Sequence, residues 1–259
     1  MRSTLLILNT LGWSAVVTVN ALANILPING YTTGELSDKY PNLFTPAGFT
    51  FSIWGVIYLG LLAFVSFSMY NARSSEKNTG TELIGLWFFI SCLANVGWIL
   101  AWHYQLVGLS VCIMFVLLFS LIQIYRNLGV GIRAVSPAEK YMVHAPFSIY
   151  LGWITVATVA NITALLVHWN WRGWGLPANF WTAAAILLAT LVALYILNRT
   201  NDFFFVLVLV WAFFGILYKR EYQDPNPYPV ITTTAIACGL LLLYRFFRNR
   251  AYHKNPAYF

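Results

Sequence analysis

Asparagine side chains stand inside the apolar stretches of this chain, where an unpaired amide is costly. Asn20 and Asn24 are four residues apart and therefore share one helical face, while Asn95 and Asn161 lie in two later stretches. Asn95 is eight residues, about 12 Å along a helix, from the end of its stretch, and Asn161 is seven residues from the end of its own. The two asparagines are therefore predicted to lie at similar depths in the membrane. This is consistent with hydrogen bonds that hold helices together, and also with a shared binding site.

Aromatic residues near these amides favour the binding site. Trp98 lies one helical turn from Asn95, Trp153 lies two turns from Asn161, and Trp54 follows a long loop on the same predicted side of the membrane. Tryptophans also gather at membrane interfaces, but Trp98 and Trp153 fall within apolar stretches. Amide groups among indoles at one depth suit a flat aromatic or sterol-like ligand.

Other chemistries have little support in the sequence. All eight acidic residues lie in predicted loops or at helix ends, which disfavours ion-coupled pumping. A glycine-rich phosphate loop and a HExxH pair are absent. His103 and His168 end two stretches and could approach each other or a porphyrin metal, although histidines at helix ends are more often interfacial polar residues. We therefore predict no catalytic residues and no metal site.

The composition is that of a membrane protein. Of the 259 residues 59% are apolar and 9% charged, with a mean hydropathy of +0.68, whereas about a quarter of the residues in soluble domains are charged. The net charge of +7 comes from basic residues scattered between apolar runs. That pattern indicates membrane orientation rather than nucleic-acid binding.

A membrane-spanning helix needs about 20 apolar residues, and eight stretches meet or approach this length. The sixth and seventh are shorter than the others and are separated only by NRTND, so they could instead form a hairpin that does not span fully. Counts of seven and nine remain open. The predicted fold class is an all-α integral membrane protein whose transmembrane segments are Leu5–Leu26, Ala47–Tyr70, Leu83–Trp102, Leu106–Tyr125, Tyr141–Val167, Phe180–Leu197, Phe203–Tyr218 and Val230–Phe247.

The basic residues predict the orientation. Eleven of the fifteen lysines and arginines, Arg73 and Lys77 among them, lie on the amino-terminal side of these segments. By the positive-inside rule both termini are then cytoplasmic. The longest connection, Pro27–Thr45, is placed outside, and Pro46 marks the break between this loop and the second helix.

Three stretches carry a recognisable pattern: NLFTPAGFTFSIWGVIY, LANVGWILAW and GWITVATVANITALLV. In order and content they resemble the translocator protein family, also called TspO/MBR or tryptophan-rich sensory proteins. That family's second helix opens with Trp-x-Pro-Pro-x-Trp-x-Phe and continues into Trp-x-x-x-Tyr. Its third helix carries Leu-Asn-x-x-Trp, and its fifth carries a Trp followed by Ala-Thr and Asn. The residues at these positions are Phe44, Pro46, Phe49, Phe51, Trp54, Tyr58, Asn95, Trp98, Trp153, Ala157, Thr158 and Asn161. Phe44 and Phe49 replace the two tryptophans of the pattern, and Ala47 replaces its second proline.

The resemblance covers about residues 1–170 and implies a five-helix ligand-binding bundle with a pocket beneath the 27–45 loop. Residues 171–259 would add about three helices and a basic cytoplasmic tail. Family ligands are tetrapyrroles such as porphyrin and haem, and sterols or other lipids. The implied ligand-binding residues are Trp54, Tyr58, Asn95, Trp98, Trp153, Ala157 and Asn161, with Pro46 and Phe49 in the lid formed by the loop.

The resemblance therefore implies a membrane receptor or carrier for a flat hydrophobic ligand. The alternatives are a porphyrin-degrading enzyme, whose ligand would supply the reactivity, a facilitative permease that uses the carboxy-terminal helices, and a structural scaffold. No cofactor is expected to be required, with porphyrin or haem as candidate ligands. The expected location is a bacterial or archaeal cell membrane. The expected partners are the bilayer, the hydrophobic ligand and a second copy of the chain in a homodimer, without nucleic acid.

Overall fold

The computed structural model describes residues 2–72 and 80–254, and these form helices without strands. Arg73, Glu76 and Lys77, and the end of the predicted basic tail at 255–259, lie outside the described residues. Short helical turns occupy several of the connections. The long helices are α1 (Arg2–Ile25), α2 (Ile53–Asn71), α3 (Trp87–His103), α4 (Val107–Leu128), α5 (Ala145–His168), α6 (Ala178–Thr200), α7 (Phe203–Tyr218) and α8 (Pro229–Lys254).

These helices coincide one for one with the eight predicted segments. Among the described residues, seven of the helices are long and apolar enough to cross a membrane, which makes the chain a multi-pass integral membrane protein. The remaining one, α3, is apolar but has 17 residues. The two helices that could have formed a short hairpin are both long enough to span, since α6 has 23 residues and α7 continues through a wide turn to make 21.

The first five helices pack together into one bundle. α4 lies between α3 and α5, and α1 contacts α3 and α2. Phe64, Phe88 and Phe147 meet edge to face in its interior, with ring centroids 4.9–5.6 Å apart. This joins α2, α3 and α5 by close aromatic contact.

The three carboxy-terminal helices attach to this bundle mainly through α7. α7 packs against α5 on one side and against α8 on the other, while α6 packs mainly against α8. Gly152 of α5 allows this approach, because a Cβ there would lie 3.0 Å from the Val208 Cβ. α7 is therefore the bridge between the first five helices and the α6–α8 pair.

The 27–45 loop folds across one end of the bundle, which we call the loop end. It contains a short helix, Thr33–Asp38, that begins with a capping box between Thr32 and Glu35. The hydrogen bonds from the Thr32 backbone and hydroxyl hold the pKa of the Glu35 carboxyl below its ordinary value. Leu36 and Phe44 are fully buried, so the loop packs against the helices beneath it.

Candidate ligand-binding site

A small cavity of about 50 Å³ lies beneath the 27–45 loop. The loop forms its roof, α2 and α3 contribute indoles, and α5 supplies the opposite wall. Among the described residues its lining carries no charged side chain. The lining residues are Thr33, Ser37, Pro46, Phe51, Trp54, Trp98, Trp102, Trp153, Val156, Ala157, Ala160 and Asn161.

Four aromatic rings form a stacked row along the cavity, which we call the aromatic ladder. Trp54 stacks on Tyr58 with ring centroids 5.5 Å apart and an interplanar angle of 21°. Trp54 also faces Trp98 at 6.5 Å and 28°, and Trp98 faces Trp102 at 6.1 Å and 14°. Trp153 meets Trp54 edge-on at 6.3 Å. The ladder thus runs from α2 to the loop end of α3 as a continuous series of ring faces.

Asn161 joins the helices at the cavity wall. The Trp98 Nε1 donates to its Oδ1 over 2.9 Å, and the Asn161 Nδ2 donates to the Ser110 hydroxyl over 3.0 Å. These residues come from α3, α4 and α5, and all three are buried. The Asn161 amide therefore fixes the orientation of an indole in the ladder.

Asn95 belongs to a separate buried chain of hydrogen bonds. The Asn20 Nδ2 donates to the Asn95 Oδ1 over 2.8 Å, and the Asn95 Nδ2 donates to the Tyr150 hydroxyl over 2.9 Å. Asn95 is fully buried and is not among the residues that line the cavity. This chain fastens α1, α3 and α5 to one another just behind the ladder.

Two polar groups beside the ladder have no hydrogen-bond partner in the part of the chain that the structure describes. The Tyr58 hydroxyl and the Trp153 Nε1 are both buried without one. Trp153 lines the cavity, whereas Tyr58 reaches it only through its stacking on Trp54. A buried unpaired donor is costly, so both groups would gain from a polar atom on a bound molecule.

Hydrogen bonds from His103 anchor the roof of the cavity. The His103 ring is fully buried, with Nδ1 3.0 Å from the Ile28 carbonyl oxygen and Nε2 3.1 Å from the Thr33 hydroxyl. The Asn29 Nδ2 donates to the His103 carbonyl over 3.0 Å. The loop therefore engages both ring nitrogens. His168 instead meets Tyr40 edge-on at a centroid distance of 6.0 Å.

The two predicted lid residues lie in different places. Pro46 lines the cavity. Phe49 is 40% exposed and packs against α7, with ring centroids 5.6 Å from Trp211 and 5.2 Å from Tyr218. Hence Phe49 does not contact the cavity, because the turn that follows Pro46 directs it outward.

α7, which was not predicted to contribute to the site, supports it from behind. The Ala47 N–H donates to the Gly215 carbonyl over 3.0 Å, and the Trp211 Nε1 donates to the Thr50 carbonyl over 3.0 Å. These bonds hold the turn Gly48–Ser52, which leads into α2 and sets the position of Trp54. No sequence pattern marks contacts between segments 160 residues apart.

Other residues of the site were not predicted from the sequence, for different reasons. Trp102 follows Trp98 by four residues, so helical spacing could have placed it in the ladder. Tyr150 and Ser110 contact the asparagines from α5 and α4, and a single serine or tyrosine in an apolar helix carries no distinctive pattern. Their roles depend on which helices are neighbours.

The cavity as it stands is smaller than a ligand. Sites for drug-sized molecules have volumes of about 300–1,000 Å³, compared with about 50 Å³ here. A tetrapyrrole or a sterol could enter only if the loop lifts or the rings of the ladder move apart. The widest step of the ladder, between Trp54 and Trp98 at 6.5 Å, lies at the centre of the row.

Comparison with known proteins supplies one match. The family model for TSPO-like protein matches residues 6–247. The match includes α6, α7 and most of α8, the helices predicted to be an addition to the five-helix unit. Neither a curated protein nor a solved structure matches the chain.

Proposed function

The chain belongs to the TSPO-like protein family, and from this premise we propose that it is a membrane receptor or carrier for a flat hydrophobic ligand bound beneath the 27–45 loop. The observation that carries the proposal is the aromatic ladder. It lies on one wall of a cavity that includes Trp98, Ala157 and Asn161. The ligand classes that suit this wall are tetrapyrroles, such as porphyrin or haem, and sterols.

Ring faces explain the preference for a flat molecule. Nearly parallel aromatic planes gain most from another plane placed against them, and aromatic pairs contribute about 0.5–1.5 kcal/mol beyond the area they bury. A flat ligand that enters between Trp54 and Trp98 would contact a ring on each side. A branched or globular ligand would touch only the edges.

The unpaired polar groups add a preference for orientation. A ligand oxygen or nitrogen within reach of the Trp153 Nε1 would satisfy a donor that the folded protein leaves unpaired. The Tyr58 hydroxyl offers a second such group at the far end of the ladder. A flat ligand with polar groups on its rim would therefore bind better than a pure hydrocarbon.

Binding also requires movement, because the closed cavity holds about 50 Å³. The loop is the element best placed to move, since it is held by hydrogen bonds around His103 and by the packing of single side chains such as Leu36, and no buried amide bond between long helices has to break. The helices beneath it are joined by buried aromatic contacts and asparagine bonds. Ligand entry is thus proposed to lift the loop and to move the Trp54 and Trp98 rings apart, while the helices keep their positions.

A titration of purified protein in a neutral detergent with protoporphyrin tests the proposal. Trp54→Ala removes the centre of the ladder and is expected to weaken binding at least about tenfold, the equivalent of roughly 1.4 kcal/mol. Trp87→Ala is the matched control, because it removes an indole from the opposite end of α3, where Trp87 packs on Phe119. Equal affinities in wild type and Trp54→Ala would reject the site.

A further inference from the structure

A much larger cavity, of about 880 Å³, lies beside the 27–45 loop at the loop end. It is open on one side and lined by loop residues 37–45, the carboxyl end of α5, the amino end of α6 and the segment that follows α7. We call it the side cavity. It shares Ser37 with the aromatic cavity, so the two are neighbours under one loop. Its volume is in the range of ligand-binding sites.

A buried arginine lines the side cavity with part of its hydrogen-bonding capacity unused. Arg220 is 4% exposed, and its Nη1 lies 2.7 Å from a carboxylate oxygen of Asp224. Its Nη2 reaches the Thr45 carbonyl only at 3.5 Å, and its Nε has no hydrogen-bond partner among residues 2–72 and 80–254. A guanidinium has five N–H donors. The folded protein thus leaves a buried cation short of acceptors, which is unfavourable.

The charges around the side cavity favour an anion. Lys219 pairs with Asp38 over 3.1 Å, and Arg220 pairs with Asp224. Arg172 is exposed on the lining and has no ion-pair partner among the described residues. The amino end of α6 also opens here, where the Phe180 N–H donates to the Asn179 side chain over 2.9 Å. A helix amino terminus carries partial positive charge.

The rest of the lining is mainly apolar. Aromatic and aliphatic side chains of the loop, α5 and α6 face the same space, with tryptophans on the side of α6. They include Leu43, Leu166, Val167, Trp171, Leu176 and Trp181. One end of the cavity thus suits a negative group, while the remainder suits hydrocarbon or a ring system.

We propose that the side cavity binds the anionic head of an amphipathic molecule, with a carboxylate or phosphate at Arg220 and an apolar body against the tryptophans. A lipid headgroup and the carboxylates of a ligand such as porphyrin offer the same chemistry. The porphyrin source rests on the proposed function, because a molecule under the loop would have its acidic rim next to the side cavity. The lipid source is independent of it.

Two measurements on the full chain distinguish these sources. In neutral detergent, protoporphyrin is titrated against its neutral dimethyl ester. In neutral phosphatidylcholine bilayer discs, with and without phosphatidylglycerol, native mass spectrometry after release counts the retained anionic lipid. Wild type is expected to prefer the acid over the ester, or the anionic over the neutral lipid, by at least about tenfold, because hydrogen bonds to a buried charge are strong.

Three variants connect the preference to Arg220. Arg220→Gln is expected to abolish it, while Arg126→Gln removes the same charge from an exposed position at the opposite end of the bundle and is expected to keep it. Asp224→Asn removes the negative charge paired with Arg220 and is expected to increase the preference. This variant also tests the proposal if Arg220→Gln does not fold.

The outcomes separate this proposal from the proposed function. Retention of anionic lipid that depends on Arg220, without porphyrin binding, would support the side cavity and reject the tetrapyrrole ligand. Equal binding of acid and ester, together with no lipid preference that Arg220→Gln or Asp224→Asn alters, would overturn the side-cavity proposal even if the ladder binds porphyrin.

Discussion

Trp98 donates its indole hydrogen to Asn161 over 2.9 Å, and this bond connects the aromatic ladder to the helix that forms the opposite wall of the cavity. Ser110 exchanges hydrogen bonds with the same amide at 3.0 and 3.3 Å. One side chain thus holds three helices, and its removal would affect both the fold and the site. The next experiment separates these effects.

Asn161→Leu is expected to lower the free energy of unfolding in detergent by about 1–2 kcal/mol, the usual upper range for hydrogen bonds between membrane helices. It leaves the Trp98 Nε1 without its acceptor, so porphyrin binding is expected to weaken as well. Thr155→Val is the control, because that hydroxyl donates to the Leu151 carbonyl of its own helix. Equal stabilities of the two variants would contradict the assigned role of Asn161.

Replacement of Asn95 is expected to reduce stability without weakening ligand binding, unlike replacement of Asn161. Its amide bonds Asn20 and Tyr150 and lies behind the cavity lining. Asn95→Ala is therefore expected to reduce stability by about 1–2 kcal/mol and to leave the affinity of the folded fraction for protoporphyrin within about threefold of wild type. Tyr150→Phe, which removes one bond of the same chain, is expected to have a smaller effect of the same kind. A large loss of affinity at full stability would instead place Asn95 in contact with the ligand.

Replacement of His103 tests whether its hydrogen bonds anchor the 27–45 loop. His103→Ala removes the contacts to Ile28 and Thr33 and is expected to increase the rates of porphyrin association and dissociation together, with a smaller change in their ratio. Stopped-flow fluorescence measures both rates. Asp38→Asn, which breaks the exposed pair with Lys219, serves as a control for the general loosening of the loop end. Unchanged rates in His103→Ala would argue against entry under the loop.

Helical spacing was sufficient to predict much of this arrangement. Depth along α3 and α5 predicted similar heights for Asn95 and Asn161, because a fixed rise per residue converts sequence distance into height in the bilayer. It could not decide which side of a helix faces which neighbour. That is why Asn95, at a depth similar to that of Asn161, forms bonds behind the ladder.

Long-range contacts were beyond prediction from one sequence. α7 is a continuous apolar segment that begins with three phenylalanines, Phe203, Phe204 and Phe205. Such a sequence does not indicate which face of the helix packs against its neighbours. Its support of the Gly48–Ser52 turn depends on Gly215 and Trp211, which are ordinary residues for a membrane helix. The outward position of Phe49 follows from the same contact. Family patterns in α2 could therefore suggest a lid residue but not its orientation.

The buried carboxyl of Asp202 is expected to make the stability of the protein depend on pH. It caps α7, accepts hydrogen bonds from the Tyr125 and Ser148 hydroxyls, and is 5% exposed. Burial raises the pKa of its carboxyl above the ordinary 3.8, against the effect of these bonds. The folded state then holds this proton more tightly than the unfolded state. The Asp202 contribution to stability is thus greatest below the unfolded pKa and falls as the pH rises through the raised value.

The measurement compares wild type with Asp202→Asn across a series of unfolding titrations from about pH 4 upward. The stability of wild type relative to the variant is expected to fall with rising pH until the carboxyl is ionised, and then to become constant. Glu82→Gln, at a partly exposed helix end, controls for general titration of acidic groups. A difference that increases with pH over this range would mean that the pKa of Asp202 is lowered.

The contact between α7 and the start of α2 gives the last prediction. A Cβ on Gly215 would overlap the Thr50 hydroxyl and come within 3.0 Å of the Pro46 Cβ. Gly215→Ala is thus expected to cost about 1–3 kcal/mol through overpacking and to weaken porphyrin binding, because the turn that positions Trp54 must shift. Gly239→Ala in α8 is the matched control, since nothing lies within 4 Å of its Cβ. In a helix interior that exchange is expected to be neutral or to stabilise by up to about 1 kcal/mol. If Gly215→Ala loses stability but binds protoporphyrin with full affinity, α7 holds the bundle together without shaping the site.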